Sequence, residues 1–166
     1  LKWIDFDDKR VYDSCLFQLM DTLIVHPDVV TDVHLGGNQL TNETGFKLGR
    51  YLAVSSTVHR LDLSNNQFGK KTYLAVATAL CRNSSLRVLF LHENRELDQT
   101  PIDIAFVNSL RINPSRPDNT QWWLHPHVEE DFKRLKSVAE KSTPPSMLEF
   151  LLYVHLDTEK IKTKIH

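Results

Sequence analysis

The sequence repeats itself with a period of 28 residues, the offset between Val30 and Val58, from Val30 to about Leu97. In the middle copy, Leu61 and Leu63 alternate with polar residues and an asparagine, Asn66, follows. A fixed period of this length indicates a solenoid, in which each unit buries its apolar residues against its neighbours. The matched positions are Val30/Val58/Leu86, Val33/Leu61/Leu89, Leu35/Leu63/Leu91 and Asn38/Asn66/Asn94, with Leu40/Phe68/Leu97 following after a slip of one residue in the third copy.

Each repeat predicts a short strand followed by a helix. Residues that alternate along a strand point to the same face, so Leu61 and Leu63 mark its buried side. Aliphatic residues spaced by four in the second half of a repeat mark one helix face. These pairs are Leu48/Leu52 and Val76/Leu80, and a matched small residue, Gly49/Ala77/Ala105, predicts that each helix lies close to its sheet.

The repeated asparagine has a physical explanation at the bend that follows each strand. The backbone groups there have lost their partners in the sheet, and an unpaired buried backbone group is costly. An asparagine side chain both donates and accepts hydrogen bonds. The sequence therefore predicts that Asn38, Asn66 and Asn94 satisfy this part of the backbone.

The L-x-L-x-x-N core in three registered copies resembles the leucine-rich repeats of the ribonuclease-inhibitor type, over about residues 15–112. That resemblance implies an α/β solenoid with parallel strands on the concave face and helices on the convex face. It also implies a binding scaffold, because the family consists mostly of such scaffolds. The chain is similar as well to the repeat domain of tropomodulin-like actin-binding proteins, in its terminal helix and in the entry to the third repeat, Asn83-Ser84-Ser85-Leu86.

The predicted organisation has three parts: an N-terminal cap over residues 1–29, about three repeats over 30–113, and a C-terminal cap over 114–166. In the first part, Trp3, Ile4 and Phe6 form a short strand or an anchor, and a helix follows over about 9–25 as the second half of a repeat with a degenerated strand. The third repeat contains a helix over about 101–110. Terminal repeats are expected to be atypical, because they must cover an exposed core.

The C-terminal part predicts one strand and two helices. Trp122 and Leu124 alternate with Trp123, which is typical of a fourth, terminal strand with one tryptophan partly exposed. A helix follows from Val128, with acidic residues in its first turn and basic residues later, the order that the helix dipole favours. A capping box over residues 146–149 starts the last helix. The apolar run 150–156 is compatible with a helix or a strand, packed against the solenoid or left for a partner.

Composition excludes several classes of protein. The net charge is −1, and 41% of residues are hydrophobic and 25% charged, as in an ordinary globular domain. The absence of a basic excess argues against a nucleic-acid partner, and no apolar run is long enough to span a membrane. Without a signal-peptide pattern, we expect an intracellular protein, cytoplasmic or in an organelle after processing. The first residue, Leu1, is compatible with a processed product or a fragment.

Cysteines and asparagines bear on the compartment. Cys15 and Cys81 are predicted to be free and buried, which favours a reducing environment. The two potential glycosylation triplets, at Asn42 and Asn83, are interpreted as chance occurrences.

The residues that point outward from the concave face are the candidate partner-binding site. Their mixture of charge with arginine and an aromatic residue is typical of interaction hot spots. They are Asp32, His34, His59, Arg60, Asp62, Arg87, Phe90 and His92, with Trp122 and Trp123 as a possible second contact.

No catalytic, metal or cofactor site is predicted. His34 and Asp62 lie on adjacent strands and are one ingredient of general base catalysis, but no nucleophile or oxyanion donor accompanies them. The pair His125 and His127, with His92 or Asp118, matches no established zinc spacing.

Three functional hypotheses follow. The leading one is a non-enzymatic module that binds a partner protein through the concave face, the C-terminal helices or both. The alternative is a structural subunit of a large assembly, held through its caps and the tryptophan pair. A small enzyme that uses His34 and Asp62 is less favoured.

Overall fold

The computed structural model describes residues 2–95, 98–125, 131–141, 146 and 149–150. Over these residues the chain is an α/β fold in which five strands alternate with five helices. The strands are β1 (Trp3–Asp5), β2 (Asp32–His34), β3 (Arg60–Asp62), β4 (Val88–Phe90) and β5 (Gln121–Trp123), and the helices are α1 (Asp13–Val25), α2 (Asn42–Val54), α3 (Lys70–Leu80), α4 (Gln99–Ile112) and α5 (Asp131–Ala139).

The strands form one parallel sheet in their sequence order. Val33, Leu61 and Leu89 lie side by side in register, and Ile4 and Trp122 extend the same buried row at the two ends. All five side chains are buried. The predicted repeat is therefore confirmed as the spacing of β2, β3 and β4, and the α/β solenoid-like architecture with it. The division into domains and the role of the two ends as caps stay predictions.

The ends of the array differ from the sequence expectation in detail. The N-terminal segment forms a strand, so β5 is the fifth strand of the sheet and not the fourth. Helix α1 begins at Asp13 rather than Lys9, because Asp8 and Arg10 have φ angles of 55° and 56°, which no α-helix contains. Helix α4 begins at Gln99, where Asp98 accepts a hydrogen bond from the Thr100 N–H and caps it.

The repeated asparagines form a ladder of hydrogen bonds, as predicted, and two of them, Asn38 and Asn66, are buried. The Asn66 amide donates to the carbonyls of Leu35, Leu63 and Ser64 at 2.8, 3.3 and 3.1 Å, and its oxygen accepts from the Leu40 N–H at 3.1 Å. Asn38 and Asn94 do the same one repeat earlier and one repeat later, with Val11 and Phe68 as the backbone donors.

The small residue at Gly49 serves a different contact from the predicted one. A Cβ at this position would meet the Cβ and carbonyl oxygen of Ala75 at 3.0 and 3.2 Å. Ala75 belongs to helix α3, so the absence of a side chain lets two neighbouring helices approach. Gly45 has the same role, since its Cβ would collide with the Thr72 side chain. The prediction of a close helix–sheet approach is wrong at Gly49.

Trp122 forms the hydrophobic centre of the C-terminal end. Its ring is fully buried and packs edge-to-face with Phe106 of α4 at 5.6 Å and with Phe132 of α5 at 5.2 Å. The Arg116 guanidinium lies 5.3 Å from the same ring. Arg116 donates to the carbonyls of Leu86, Leu80 and Asn83, and burial lowers its pKa to about 10. The outer tryptophan, Trp123, is 36% exposed, as the alternation predicts.

An ion-pair network holds α4, β5 and α5 together. Arg134 bridges Asp131 and Asp103 at 2.6 Å each, and His125 Nε2 lies 3.0 Å from Asp103 Oδ1. Asp131 is fully buried and accepts a hydrogen bond from the Leu124 N–H. It therefore joins α5 to the residue that follows β5, in addition to its favourable position in the first turn of the helix. Burial works against ionisation of Asp103, but the hydrogen bonds from His125 and Arg134 overcome it and hold its pKa at about 2.

The two cysteines are free, but only Cys81 is buried, and the prediction that Cys15 is buried is wrong. Asn83 is also buried, where its amide donates to the carbonyls of Leu52 and Ser55, and a glycan cannot be accommodated there. Among the residues that the structure describes, none of the helices combines the length and the apolar character that crossing a bilayer requires.

The capping box near the C-terminus is present. Ser146 and Glu149 exchange reciprocal hydrogen bonds at 2.8 and 3.1 Å, and Phe150 is buried in the core. The expectations for Leu97, His127, the start of the helix at Val128 and the run after Phe150 lie outside the described residues.

Candidate protein-binding surface

The outward-facing side chains of the sheet form two rows across the strands, on the face opposite the helices. The register of β2, β3 and β4 aligns the outward-pointing residues that the repeat predicts on these strands, and each row gains one residue from β1 and one from β5. The first row is Trp3, Asp32, Arg60, Val88 and Gln121, and the second is Asp5, His34, Asp62, Phe90 and Trp123.

One half of this face is aromatic. Phe90 lies 4.7 Å from Trp123 and 5.8 Å from His92 between ring centroids, and the Arg60 guanidinium lies 4.9 Å above the Phe90 ring. We call these four residues the aromatic patch. Phe90 is 8% exposed because the other three cover it, whereas Trp123 presents 36% of its surface. The patch is therefore a cohesive aromatic surface on the outside of the sheet, separate from the core.

Two polar atoms of the aromatic patch are left without a partner. Arg60 Nε and His92 Nδ1 are buried, and neither has a hydrogen-bond partner among the described residues. An unpaired buried polar group costs roughly 1–3 kcal/mol.

The other half of the face is acidic. His34 Nδ1 lies 3.6 Å from Asp7 Oδ2, and Asp62 is the register neighbour of His34 on the next strand. The Gly36 N–H donates to Asp7 Oδ1 at 2.7 Å, and the Ser64 hydroxyl donates to Asp62 Oδ1 at 2.7 Å. Burial raises the pKa of Asp7, and the charge of Asp62 raises it further, against the Gly36 hydrogen bond.

The predicted pair of His34 and Asp62 is thus incomplete, because a second carboxylate, that of Asp7, lies 3.6 Å from His34 Nδ1. Sequence reasoning missed Asp7 because the repeat is recognisable with a strict period only from Val30 onward. Strand β1 pairs Trp3 with Asp32, an offset one residue longer than the repeat. Extending the pattern with that offset would have placed Asp7 in the same position as Gly36.

Of the remaining predicted site residues, His59, Arg87 and Asp32 are accessible to solvent and Trp122 is not. His59 and Arg87 are exposed where β3 and β4 begin, and Asp32 accepts a hydrogen bond from the Thr31 hydroxyl at 2.6 Å. Trp122 points into the core, because adjacent strand residues face opposite sides. It cannot contact a partner, so the possible second contact is reduced to Trp123.

The comparisons with known proteins bear on the fold of this chain. No family model and no curated protein sequence matches the chain. The solved structure of "Leiomodin-1 Actin-Binding Site 2 (ABS2)" is similar, with a TM-score of 0.67 and 18% sequence identity over 99% of this chain and 84% of that chain. At this identity the likeness concerns the fold, which it supports as a solenoid-like α/β array.

Proposed function

We propose that this chain is a non-enzymatic protein–protein interaction module built on leucine-rich repeats of the ribonuclease-inhibitor type. The aromatic patch is the observation that carries the proposal. The Trp123 and Phe90 rings pack in a tilted arrangement on the open face, with centroids 4.7 Å apart, and the Arg60 guanidinium lies 4.9 Å from the Phe90 ring. Tryptophan and arginine are enriched among the residues that dominate binding energy at interfaces.

Actin is the first partner to test. The chain is similar to tropomodulin-like actin-binding proteins, and the similar solved structure is that of an actin-binding site of leiomodin-1. Both likenesses support the choice of partner, and the aromatic patch supplies a specific surface for it.

The experiment compares binding of monomeric and filamentous actin by the full chain and by two patch variants, Trp123→Ala and Arg60→Ala. Each should weaken binding at least tenfold, because truncating a hot-spot residue typically costs about 2 kcal/mol or more. Phe46→Ala is the matched control, since Phe46 is an aromatic residue that is 51% exposed on the helix layer. It should leave the affinity unchanged.

The same experiment weighs the alternative of a structural subunit held through its ends. Val138 is 46% exposed on α5, within the predicted C-terminal cap. Trp123 belongs to both hypotheses, so Arg60→Ala is the patch variant that separates them. If Val138→Ala weakens binding and Arg60→Ala does not, the contact lies at the end of the array and the patch proposal is wrong. If the unsubstituted chain does not bind actin, actin is rejected as the partner.

A further inference from the structure

Three side chains with metal-ligand chemistry converge at the end of strands β1, β2 and β3. Asp7, His34 and Asp62 each offer one ligand atom, and these three atoms lie within 4.8 Å of one another. Each residue comes from a different strand-and-helix unit, so the solenoid alone brings them together. The cluster combines one imidazole with two carboxylates.

This donor set matches the ligand preferences of borderline divalent cations. Imidazole suits zinc and its transition-metal neighbours, whereas calcium and magnesium take oxygen ligands. Bonds of about 2.1 Å in a tetrahedral site place ligand atoms about 3.4 Å apart. The three half-buried side chains would have to move inward by about 1 Å, which small rotations about their χ angles provide.

Gly36 gives independent support, because it leaves space where a side chain would otherwise stand. A Cβ on Gly36 would meet Asp62 Oδ1 and the Ser64 hydroxyl at 3.2 Å and Asp7 Oδ1 at 3.3 Å. The backbone of Gly36 does not have a positive φ, so its conformation does not demand glycine. The glycine is therefore explained by the convergence of three oxygen atoms on one point.

The charges at this point are also incompletely compensated. Two carboxylates share one imidazole, since Asp7, His34 and Asp62 each bring one ligand atom within 4.8 Å of the others. A divalent cation would relieve the repulsion between the two carboxylates.

We propose that Asp7, His34 and Asp62 bind one divalent transition-metal cation on the open face of the sheet, leaving a fourth coordination position for water or a group from a partner. The site adjoins the aromatic patch, since Asp62 and Phe90 are register neighbours. It goes beyond the proposed function, and its test does not depend on any protein partner.

The test titrates the metal-free full chain with Zn²⁺ by calorimetry and with Co²⁺ by visible absorption, in the presence of excess Mg²⁺. We expect one Zn²⁺ per chain and a Co²⁺ spectrum of low coordination number. Losing an indirect partner of a metal ligand already costs about tenfold to a hundredfold in affinity. Asp7→Asn and His34→Ala, which each remove a ligand, should therefore cost at least tenfold.

Two matched controls separate this site from binding to other histidines and acids. His59→Ala removes an exposed histidine and Asp32→Asn an acid on the neighbouring row, and both should retain Zn²⁺ binding. Circular dichroism verifies that each variant folds, and His34→Gln replaces His34→Ala if that variant does not. The proposal is overturned if the chain binds no stoichiometric Zn²⁺, or if the ligand variants bind as tightly as the controls. Asp7, His34 and Asp62 would then be a polar cluster that binds no metal.

Discussion

Replacing Asn66 by alanine tests how the repeats are held together. Asn66 is buried and makes four hydrogen bonds, three through its amide and one through its oxygen. Alanine removes all four and leaves a small cavity. The Leu40 N–H, which lies in the fully buried core, loses its acceptor.

The magnitude follows from what each backbone group retains. An unsatisfied buried donor costs about 1–3 kcal/mol. The Leu35 and Leu63 carbonyls are affected less, because Asn38 and Asn94 still donate to them. We therefore expect a loss of about 2–4 kcal/mol, a large part of the 5–15 kcal/mol that is typical of folded domains. For a chain of this length, the melting temperature should fall by about 5–15 °C.

The assay is urea denaturation followed by circular dichroism, with Gln67→Ala as the matched control. Gln67 is the exposed neighbour of Asn66 in the same loop, and its truncation should change stability by less than about 0.5 kcal/mol. Combining Asn66→Ala with Asn38→Ala removes both amide donors to the Leu35 carbonyl. The double variant should then lose about 0.5–1 kcal/mol more than the sum of the single losses. A loss for Asn66→Ala no larger than for the control would refute the ladder as a source of stability, and strict additivity would refute the coupling between Asn38 and Asn66.

Three further outcomes are expected. Trp122→Ala should cost about 3–5 kcal/mol in urea denaturation and Trp123→Ala less than about 1 kcal/mol, since only the first ring is fully buried; equal losses would contradict the inward orientation of Trp122. The pKa of Asp103 lies at about 2 in the folded chain against an ordinary 3.8, so its stabilising contribution is complete above pH 3.8 and is lost as the pH falls through about 2. In a pH series of melting curves, Asp103→Asn should remove the part of the acid-induced loss of stability that comes from this carboxyl group. An unchanged dependence of the melting temperature on pH would contradict this role of Asp103. In a thiol-reagent titration of the native chain, Cys15 should react and Cys81 should not, because burial raises the pKa of Cys81 to about 11; rapid reaction of both would indicate that the region around Cys81 opens.

The repeat period allowed the sheet to be predicted because the same physical requirement recurs in every unit. Each strand must bury one central residue, and each bend must satisfy the same backbone groups. Val33, Leu61 and Leu89, and the asparagines that follow them, were therefore readable from the sequence. The outward rows followed from the same register.

The contacts at the ends were not readable because they occur only once. Asp131 is a surface residue by type, and its burial depends on Arg134 and on the Leu124 N–H, which no repeat encodes. Arg116 likewise occupies a buried position, where its guanidinium donates to three backbone carbonyls. The Asp7–His34 pair depends on the one-residue shift in the offset of β1, which a strict period of 28 conceals.

The division of the open face implies a last prediction, about independence. Parallel strands lie about 4.8 Å apart, so the His34 strand and the Trp123 strand are separated by about 14 Å. Substitutions farther apart than about 7–10 Å usually combine additively within about 0.3–0.5 kcal/mol. Trp123→Ala should therefore leave the Zn²⁺ affinity of the full chain unchanged within about twofold. If Trp123→Ala weakened Zn²⁺ binding as strongly as His34→Ala does, the two halves of the face would act as one site, and the assignment of separate roles to them would be wrong.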